Sequence, residues 1–319
     1  MYPHNFSKSI TQDIKKLYNY DNHHGILAGL YDYLIVIFAI ALSEYSYYFF
    51  PITCLLIGSR QRALATLLHE AAHGTLAKNR QTNKILGTVF SGHLIFQGWD
   101  SYKSSHVINH HHHLGDLKYD PDFQYYVSSG IFKKTSSKVF IVKFLIQPMF
   151  FLNCLPNIKY LLTERLLKTK NKKECISILS AHVGLFSLMT LSLGIEAYLI
   201  YWLIPYLTFF QSLTWFIELS EHYPMIAQAQ SSLYATSNRF SGFIEHFLTG
   251  MHSENFHLVH HLFPGLPFWN LKKAHCILLG DPVYASLNAR FGGIFTSSNY
   301  APTLWSATLS CHDHKSLEI

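Results

Sequence analysis

The sequence predicts an all-α integral membrane protein in which four transmembrane helices carry a cytoplasmic helical cap. A low content of charged residues, long apolar runs and clustered histidines predict this fold class. Of 319 residues, 49% are hydrophobic and 14% are charged, whereas roughly 25% are charged in soluble domains. The net charge of +6 comes from scattered lysines and arginines. No basic stripe interleaved with aromatic residues is present, so we expect no nucleic-acid partner.

Four apolar runs are long enough to cross a bilayer, for which about 20 residues suffice. They cover residues 27–50, 52–72, 176–193 and 195–217. Arg60 and Arg62 interrupt the second run, which is costly in lipid unless these side chains face protein, water or the interface. A partly buried soluble helix is therefore the alternative for that run.

Two further apolar runs, residues 85–96 and 144–155, are too short to span a membrane. We expect the first to be a re-entrant or interfacial segment. The second follows the basic residues 133–143, and this order suggests an amphipathic helix at the membrane surface.

The link around Gly194 is short, so the last two spans are predicted to form an antiparallel hairpin. The turns near Glu44 and Gly194 contain no Lys or Arg, whereas the other connecting segments are rich in them. Because basic loops stay on the cytoplasmic side, both termini and the histidine clusters are predicted to be cytoplasmic. We divide the chain into a polar N-terminal segment (1–26), a membrane domain (27–281) and a C-terminal tail (282–319).

The start of the chain and its cysteines point to a reducing compartment. Residues 1–22 are polar and lack the apolar run that a secretory signal needs. The five cysteines form no CxxC pair and no closely spaced framework, so we interpret them as free thiols.

Histidine is unusually abundant, with 21 residues against 19 Asp plus Glu. Most of the candidate residues lie in three clusters, HEAAH at 69–73, HVINHHHH at 106–113 and HSENFHLVHH at 252–261. Neutral imidazole is the commonest metal ligand in proteins, and nitrogen ligands favour iron, zinc or copper over magnesium or calcium. The clusters therefore predict a transition-metal site.

The spacing in the first and third clusters suits ligands on one face of a helix. Residues three or four apart on a helix have Cβ atoms about 5–6 Å apart. His69 and His73 can therefore reach one metal or two adjacent metals. By the same spacing, His257, His260 and His261 form a compact patch.

The middle cluster fits a regular helix less well. His106, His110 and His113 share one helical face, whereas His111 lies about 140° round from His106 at about 100° per residue. If His111 is a ligand, the helix must bulge or break, as helices often do at functional sites. Spacing alone leaves His111 and His113 as alternatives.

His222 is a further candidate ligand at the cytoplasmic end of the last span, four residues after Glu218. The alternative is an interfacial histidine with no metal. Carboxylates near a metal site usually orient the ligating imidazoles through the second ring nitrogen, and we favour Asp116 and Glu221 for this role. The residues expected to support the ligands are Glu70, His113, Asp116, Glu218, Glu221 and Asn255. Asp120, Asp122 and Glu254 also lie near the boxes and are further candidates.

The three boxes HEAAH (69–73), HVINHH (106–111) and HLVHH (257–261) resemble those of the membrane fatty acid desaturase and hydroxylase superfamily. The resemblance implies two iron ions, favours His111 over His113 and adds His222 as a ninth ligand. His112 and His113, which follow this box, are expected to support the ligands or to face water. The implied ligands are His69, His73, His106, His110, His111, His222, His257, His260 and His261.

The resemblance also implies O₂-dependent removal of hydrogen from an unactivated carbon of a fatty acyl or lipid chain, giving an alkene. Hydroxylation of an alkyl chain or small molecule is the alternative, because the spacing of HVINHH also occurs in alkane hydroxylase relatives. The chain carries no haem motif and no ferredoxin-type cysteine cluster, so a separate donor, of ferredoxin or cytochrome b5 type, is expected. Free fatty acid, acyl thioester, lipid and a smaller amine-bearing molecule all remain open as substrates.

Two other functions fit parts of the sequence. HEAAH matches the HExxH motif of zinc metalloproteases, in which Glu70 would be the general base, but this reading leaves the other two clusters unexplained. A metal transporter or non-catalytic metal-binding protein is also possible. Transporters usually place ionisable residues at mid-membrane, whereas these clusters lie just outside the predicted spans.

Overall fold

The computed structural model describes residues 4–169, 171–227, 229–288, 290–310 and 313–314. Within these ranges the chain is mostly helical, and its strands are a single antiparallel pair that joins Thr135 to His314 and Ser136 to Asp313. The described residues form two compact units. We call residues 20–105 and 151–214 the span unit, and the remainder the histidine unit. Cys311 and parts of the predicted N-terminal segment and C-terminal tail lie outside the described residues.

The span unit contains most of the long helices. Its α-helices are His24–Tyr45, Phe50–His73, Arg80–Gly87, Trp99–Tyr102, Cys154–Leu161 and Lys172–Leu193. Its 3-10 helices are Tyr47–Phe49 and Gly92–Ile95, and its π-helices are Leu162–Leu167, Leu199–Leu203 and Tyr206–Phe210. The helix Phe50–His73 packs closely against Tyr206–Phe210. A Cβ atom at Gly58 would lie only 2.6 Å from Phe209 Cβ, so this approach requires glycine.

The histidine unit is built from shorter elements. Its α-helices are Lys8–Lys15, Pro121–Ser129, Ser137–Phe140, Gln147–Met149, Phe243–Thr249, His257–Leu262, Phe268–Leu278, Pro282–Asn288 and Leu304–Ser310. Two helices begin in the span unit and end in this one, the α-helix Gln211–His222 and the π-helix Lys103–His110. The unit also has a second π-helix, Ile141–Ile146. Its 3-10 helices are Met225–Ala227, Ser232–Tyr234 and Met251–Phe256. Phe123, Phe144, Trp215, Phe216 and Leu219 lie in its apolar core.

Three helices in the described residues are long and apolar enough to cross a membrane. They are His24–Tyr45, Lys172–Leu193 and Leu199–His222, with mean hydropathies of 2.2, 1.7 and 1.2. They correspond to the predicted first, third and fourth spans. The consecutive helices Ser137–Met149 and Cys154–Leu167 pass the same test together, so the count rises to four if this pair forms one broken span.

The predicted second span is a helix, Phe50–His73, but it is not among these candidates. Arg60, Gln61 and Arg62 lower its hydropathy, and most of its residues are buried within the unit. The Arg60 guanidinium lies 3.3 Å from Asp32 Oδ1 and donates to Ser59 Oγ at 2.7 Å. These arginines therefore face protein, as a charged side chain in an apolar helix must, and four spans remain a prediction.

The hairpin predicted at Gly194 is present. Lys172–Leu193 ends at Gly194, whose φ of +102° suits a residue without a Cβ. His182 Nδ1 lies 2.8 Å from Tyr198 Oη across the turn, so the chain folds back on itself. Residues 85–96, expected to be interfacial, form the end of one short helix and a 3-10 turn with exposed Val89 and Phe90.

Glu174 fixes the start of the helix that carries the middle histidine box. This buried carboxylate accepts hydrogen bonds from the backbone N–H groups of Trp99 and Asp100 and, at 2.9 Å, from Thr169 Oγ1. Acceptors at a helix N-terminus satisfy donors that have no partner inside the helix. On the same helix, the Arg165 backbone carbonyl accepts from Gly98 N at 2.8 Å. The start of the helix is therefore held by two successive parts of the chain.

We expect Glu174→Ala to lower the melting temperature of the detergent-purified protein, because it leaves two helix-terminal N–H groups without their acceptor. Loss of a cap costs about 0.5–2 kcal/mol. Glu174→Gln retains one acceptor oxygen and should lose less. Glu196→Ala, at an exposed position, is the control. Equal melting temperatures for Glu174→Ala and Glu196→Ala would show that this contact does not stabilise the helix.

Candidate metal centre

The middle histidine box lies on a π-helix. The α-helix Trp99–Tyr102 continues as the π-helix Lys103–His110, in which hydrogen bonds join residues five apart. His106 and His111 are five apart, and their Nε2 atoms lie 3.2 Å from each other. The helix therefore has the bulge that ligation by His111 would require.

His113, the alternative on the regular helical wheel, points elsewhere. Its side chain is exposed, and its ring packs against Tyr119 with centroids 4.9 Å apart. Among the described residues, its ring nitrogens do not join a group of converging ligand atoms.

The third box lies on the short helix His257–Leu262. Asn238 Oδ1 accepts from Leu258 N at 3.0 Å and so fixes the start of this helix. Two residues with positive φ, His252 and Ser253, redirect the chain just before it. His257 and His261, four residues apart, then have Nε2 atoms 3.0 Å apart.

Seven of the predicted ligands form two groups within the histidine unit. In the first, the Nε2 atom of His111 lies 3.2 Å from those of both His106 and His260. In the second, ligand nitrogens of His110, His222 and His261 lie within 4.8 Å of one another. The Nε2 atom of His257 joins this group at 3.0 Å from those of His222 and His261.

These separations fit a shared metal ion. Two nitrogens about 2.1 Å from one ion, at angles of about 90–110°, lie about 3.0–3.4 Å apart. His110 Nε2 is buried and has no hydrogen-bond partner in the described residues. Such atoms are costly to bury without a partner, and a metal is a partner that imidazole can take. The donor set therefore suits a transition metal.

Buried carboxylates contact the outward-facing nitrogens of these imidazoles. His110 Nδ1 lies 3.0 Å from Asp120 Oδ1, and both side chains are almost fully buried. Asp122 Oδ2 lies 3.5 Å from Nδ1 of both His106 and His110. A carboxylate on one ring nitrogen fixes the tautomer and leaves the other nitrogen free to bind metal.

A second carboxylate arrangement holds the third box. His257 Nδ1 lies 3.3 Å from Glu221 Oε2, as predicted for Glu221. The other oxygen of Glu221 lies 3.0 Å from Arg239 Nε and 2.9 Å from Arg239 Nη2. The sequence did not indicate a role for Arg239, because this residue lies in a loop 18 residues from Glu221 and belongs to no periodic pattern.

Among the described residues, Asp116, which was expected to support a ligand, makes its hydrogen bonds with backbone groups of its own loop rather than with an imidazole. Asp116 Oδ1 accepts from the backbone N–H groups of Lys118 and Tyr119, at 2.7 and 3.1 Å, and orders that loop instead. Asp120 takes the role expected of Asp116. Its position before Pro121 could have indicated it, since Asp followed by Pro marks a helix N-terminus, and Asp120 Oδ1 also caps the helix Pro121–Ser129.

The remaining supporting residues differ in what they contact. Asn255 Nδ2 donates to the backbone carbonyl of Arg239 at 3.1 Å, so it acts on the arginine rather than on a histidine. Glu218 contributes negative charge near His110. In the span unit, Glu70 Oε1 lies 3.2 Å from His69 Nδ1, and Glu70 Oε2 accepts from Thr75 Oγ1 at 2.7 Å.

His69 and His73 form the pair predicted from the first box. They lie on the last turn of Phe50–His73, which ends at Gly74 with a φ of +77°. Their ring centroids are 4.8 Å apart. The sequence-predicted helical spacing therefore brings both imidazoles to one face.

The charges of the site match metal binding. Burial lowers the pKa of His110, but the carboxylates of Asp120 and Asp122, with Glu218, raise it more, to about 9. The surrounding carboxylates therefore favour positive charge at His110, and a metal ion would take the place of the proton on Nε2. Burial and then the neighbouring imidazoles hold the pKa of His261 well below its usual value, and so keep it in the neutral form that binds metals.

Comparisons with known proteins identify the family of this chain. A family profile described as fatty acid desaturase matches residues 46–290. Dihydrorhizobitoxine desaturase of Bradyrhizobium elkanii is 36% identical over 299 residues, which cover 91% of this chain and 85% of that protein.

Two cyanobacterial proteins are more distant relatives. The sn-1 acyl-lipid omega-3 desaturase (ferredoxin) of Nostoc sp. (strain 36) is 26% identical and covers 88% of this chain and 80% of its own length. The sn-1 oleoyl-lipid 12-desaturase of Anabaena variabilis is 22% identical over 72% of this chain and 68% of its own length. The chain therefore belongs to the fatty acid desaturase family and is a membrane oxidoreductase that acts on an aliphatic chain.

Proposed function

We propose that this protein is an O₂-dependent di-iron desaturase that introduces a carbon–carbon double bond into the aliphatic chain of its substrate. The convergence of imidazole nitrogens to 3.0–3.2 Å in two groups is the observation that carries the proposal. Family membership supports iron over the other metals that imidazole binds.

The proposed ligands are those of the three boxes together with His222. Seven of them lie in the two groups of the histidine unit, and His69 and His73 are assigned by their place in the first box. Bound iron would supply the redox chemistry that activates O₂ for hydrogen removal. The protein's own part is to position protons. Asp120 is hydrogen-bonded to His110 Nδ1 and keeps a proton there, and the carboxylate of Glu221, 3.3 Å from His257 Nδ1, favours a proton on that atom. This tautomer presents Nε2 to the metal.

The comparisons favour desaturation over the alternatives. The relatives reported above carry the names of desaturases, not hydroxylases. In a zinc protease Glu70 would need access to water, but it is 2% exposed and accepts a hydrogen bond from Thr75. A zinc protease, which holds one metal ion, would also leave histidines of the two groups unused.

We further propose a small substrate related to dihydrorhizobitoxine, with acyl lipids as the second candidate. The support is the 36% identity to the B. elkanii protein, against 22–26% for the acyl-lipid desaturases. We propose a ferredoxin-type electron donor because the name of the Nostoc relative specifies ferredoxin. We also propose that the histidine boxes and both termini lie on the cytoplasmic side, which the distribution of Lys and Arg supports.

We expect the purified protein to bind about two iron ions per chain, as in other two-metal sites, and His260→Ala to lose iron. His260 Nε2 lies 3.2 Å from that of His111, so its removal takes a ligand from the first group. Metal analysis and Mössbauer spectroscopy measure this, with His23→Ala as a surface control. One zinc ion that survives His260→Ala but is lost in His69→Ala would support the protease instead.

A matched pair of carboxylate variants tests the orientation of the ligands. Asp120→Asn keeps an N-cap, because Asn caps as well as Asp, but removes the charge that favours the proton on His110 Nδ1. Loss of such a partner typically lowers metal affinity by about 10–100-fold. Asp116→Asn, in the same loop, should leave the affinity unchanged. Competition with a chelator gives both affinities, and equal affinities would contradict the assigned role of Asp120.

The substrate proposal is tested by supplying the membrane-reconstituted enzyme with reduced ferredoxin, O₂ and either dihydrorhizobitoxine or a monounsaturated acyl lipid. Because a desaturase removes hydrogen without adding oxygen, mass spectrometry should show a product two hydrogens lighter. We expect turnover of the small molecule. A product one oxygen heavier would establish the hydroxylase, and turnover of the lipid alone would establish the second substrate class.

A further inference from the structure

We propose that iron reaches the centre through a cavity in the histidine unit, and that His112 and His113 bind the incoming ferrous ion transiently. The inference rests on the proposed di-iron function. The proposed reaction assigns no role to these two histidines, which directly follow the HVINHH box, and iron entry would give them one.

Two of the proposed ligands, one at the end of the middle box and one at the end of the last span, are not directly accessible from water. His110 is 0% exposed and His222 is 1% exposed. A cavity of about 490 Å³ lies beside them, and His111 and His261 contribute to its wall. These two residues belong to the first and the second histidine group, respectively. An ion in this cavity is therefore next to a ligand of each group.

The same wall continues to the surface. His112, His113 and Asp116 also line the cavity, and all three are exposed. An ion can therefore meet these side chains in water before it meets His111 or His261. Imidazole and carboxylate are both ligands that ferrous iron accepts.

The tautomer of His112 leaves it ready to bind a cation. Its Nδ1 atom lies 3.0 Å from the backbone carbonyl oxygens of both Val107 and Ile108. Carbonyl oxygens only accept hydrogen bonds, so Nδ1 must carry the proton. In the neutral ring the Nε2 lone pair is then free for a metal.

Asp116 can add attraction without holding the ion. Its Oδ1 atom accepts from two backbone N–H groups, whereas its Oδ2 atom has no hydrogen bond in the described part of the chain. The ligand atoms of His112, His113 and Asp116 do not converge into a group that could chelate a metal, among the residues described. This arrangement suits brief contacts during passage, and the converging groups deeper in the unit suit retention.

The test is the rate of metal uptake by the full-length apoprotein in detergent. We expect His112→Gln/His113→Gln to slow Fe²⁺ uptake on the order of tenfold, since local attraction raises association rates by about 10–10³. The final iron content should match that of the unchanged protein. Stopped-flow absorbance, with Co²⁺ as a second spectroscopic probe, measures the rate independently of turnover.

The matched control is His23→Gln/His24→Gln. This is also an adjacent histidine pair beside a carboxylate, with His24 Nδ1 2.6 Å from Asp21 Oδ2, but it does not line the cavity. It should take up iron at the normal rate. Asp116→Asn can keep the contacts of Oδ1 while losing the charge. It should slow iron uptake less than the double variant does, and its own effect should be larger at low salt, where charges are screened less.

Two results would overturn the inference. Equal uptake rates for the unchanged protein and His112→Gln/His113→Gln would show that iron takes another route. A lower final iron content with a normal initial rate would instead make these histidines resident ligands. If the unchanged protein binds no iron, the proposed function itself fails, and that outcome differs from equal uptake rates. A circular dichroism spectrum confirms that each variant is folded.

Discussion

The hydrogen bond between Asp120 and His110 is the interaction on which most of the centre depends. Asp120 Oδ1 contacts His110 Nδ1 at 3.0 Å and also accepts from the backbone N–H groups of Asp122 and Phe123. One oxygen thereby orients the imidazole at the end of the π-helix Lys103–His110 and caps the start of the helix Pro121–Ser129. Its other oxygen accepts from Gly115 N at 2.9 Å, which ties the intervening loop to the same point. Because the carboxylate is buried, each of these bonds is stronger than it would be in water.

The π-helix Lys103–His110 is the second constraint, and it explains why three histidines of one box can serve two groups. A regular helix would separate His106 from His111, but the wider turn brings their Nε2 atoms to 3.2 Å. His110 then points into the other group, with its ring 5.0 Å from that of His222. A π-turn has poorer packing than an α-turn, and such turns concentrate at functional sites. Here the π-helix places the adjacent His110 and His111 in different histidine groups.

The sequence was sufficient for features that repeat locally and insufficient for those that depend on folding. Apolar length predicted spans at residues 27–50 and 176–193, where the structure has helices at 24–45 and 172–193. Helical spacing predicted the pairing of His69 with His73. The role of Asp116 could not be judged in this way, since Asp116 and Asp120 lie in one loop and only the path of that loop decides which reaches His110. Arg239 was missed because a buried ion pair between distant segments leaves no periodic trace.

Arg239 also shows how the unit can hold its histidines before any metal arrives. Burying Glu221 and Arg239 costs several kcal/mol per ion unless their remaining hydrogen bonds are made. Arg239 meets this condition, because Nη1 donates to Thr249 Oγ1 at 3.1 Å, Nη2 to the Thr249 carbonyl at 2.8 Å and Nε to Glu221. With these bonds of Arg239 made, the pair adds rigidity rather than much net stability. The rigidity passes through Glu221 to His257 and sets the ring where a ligand is needed, so metal binding has less ordering to do.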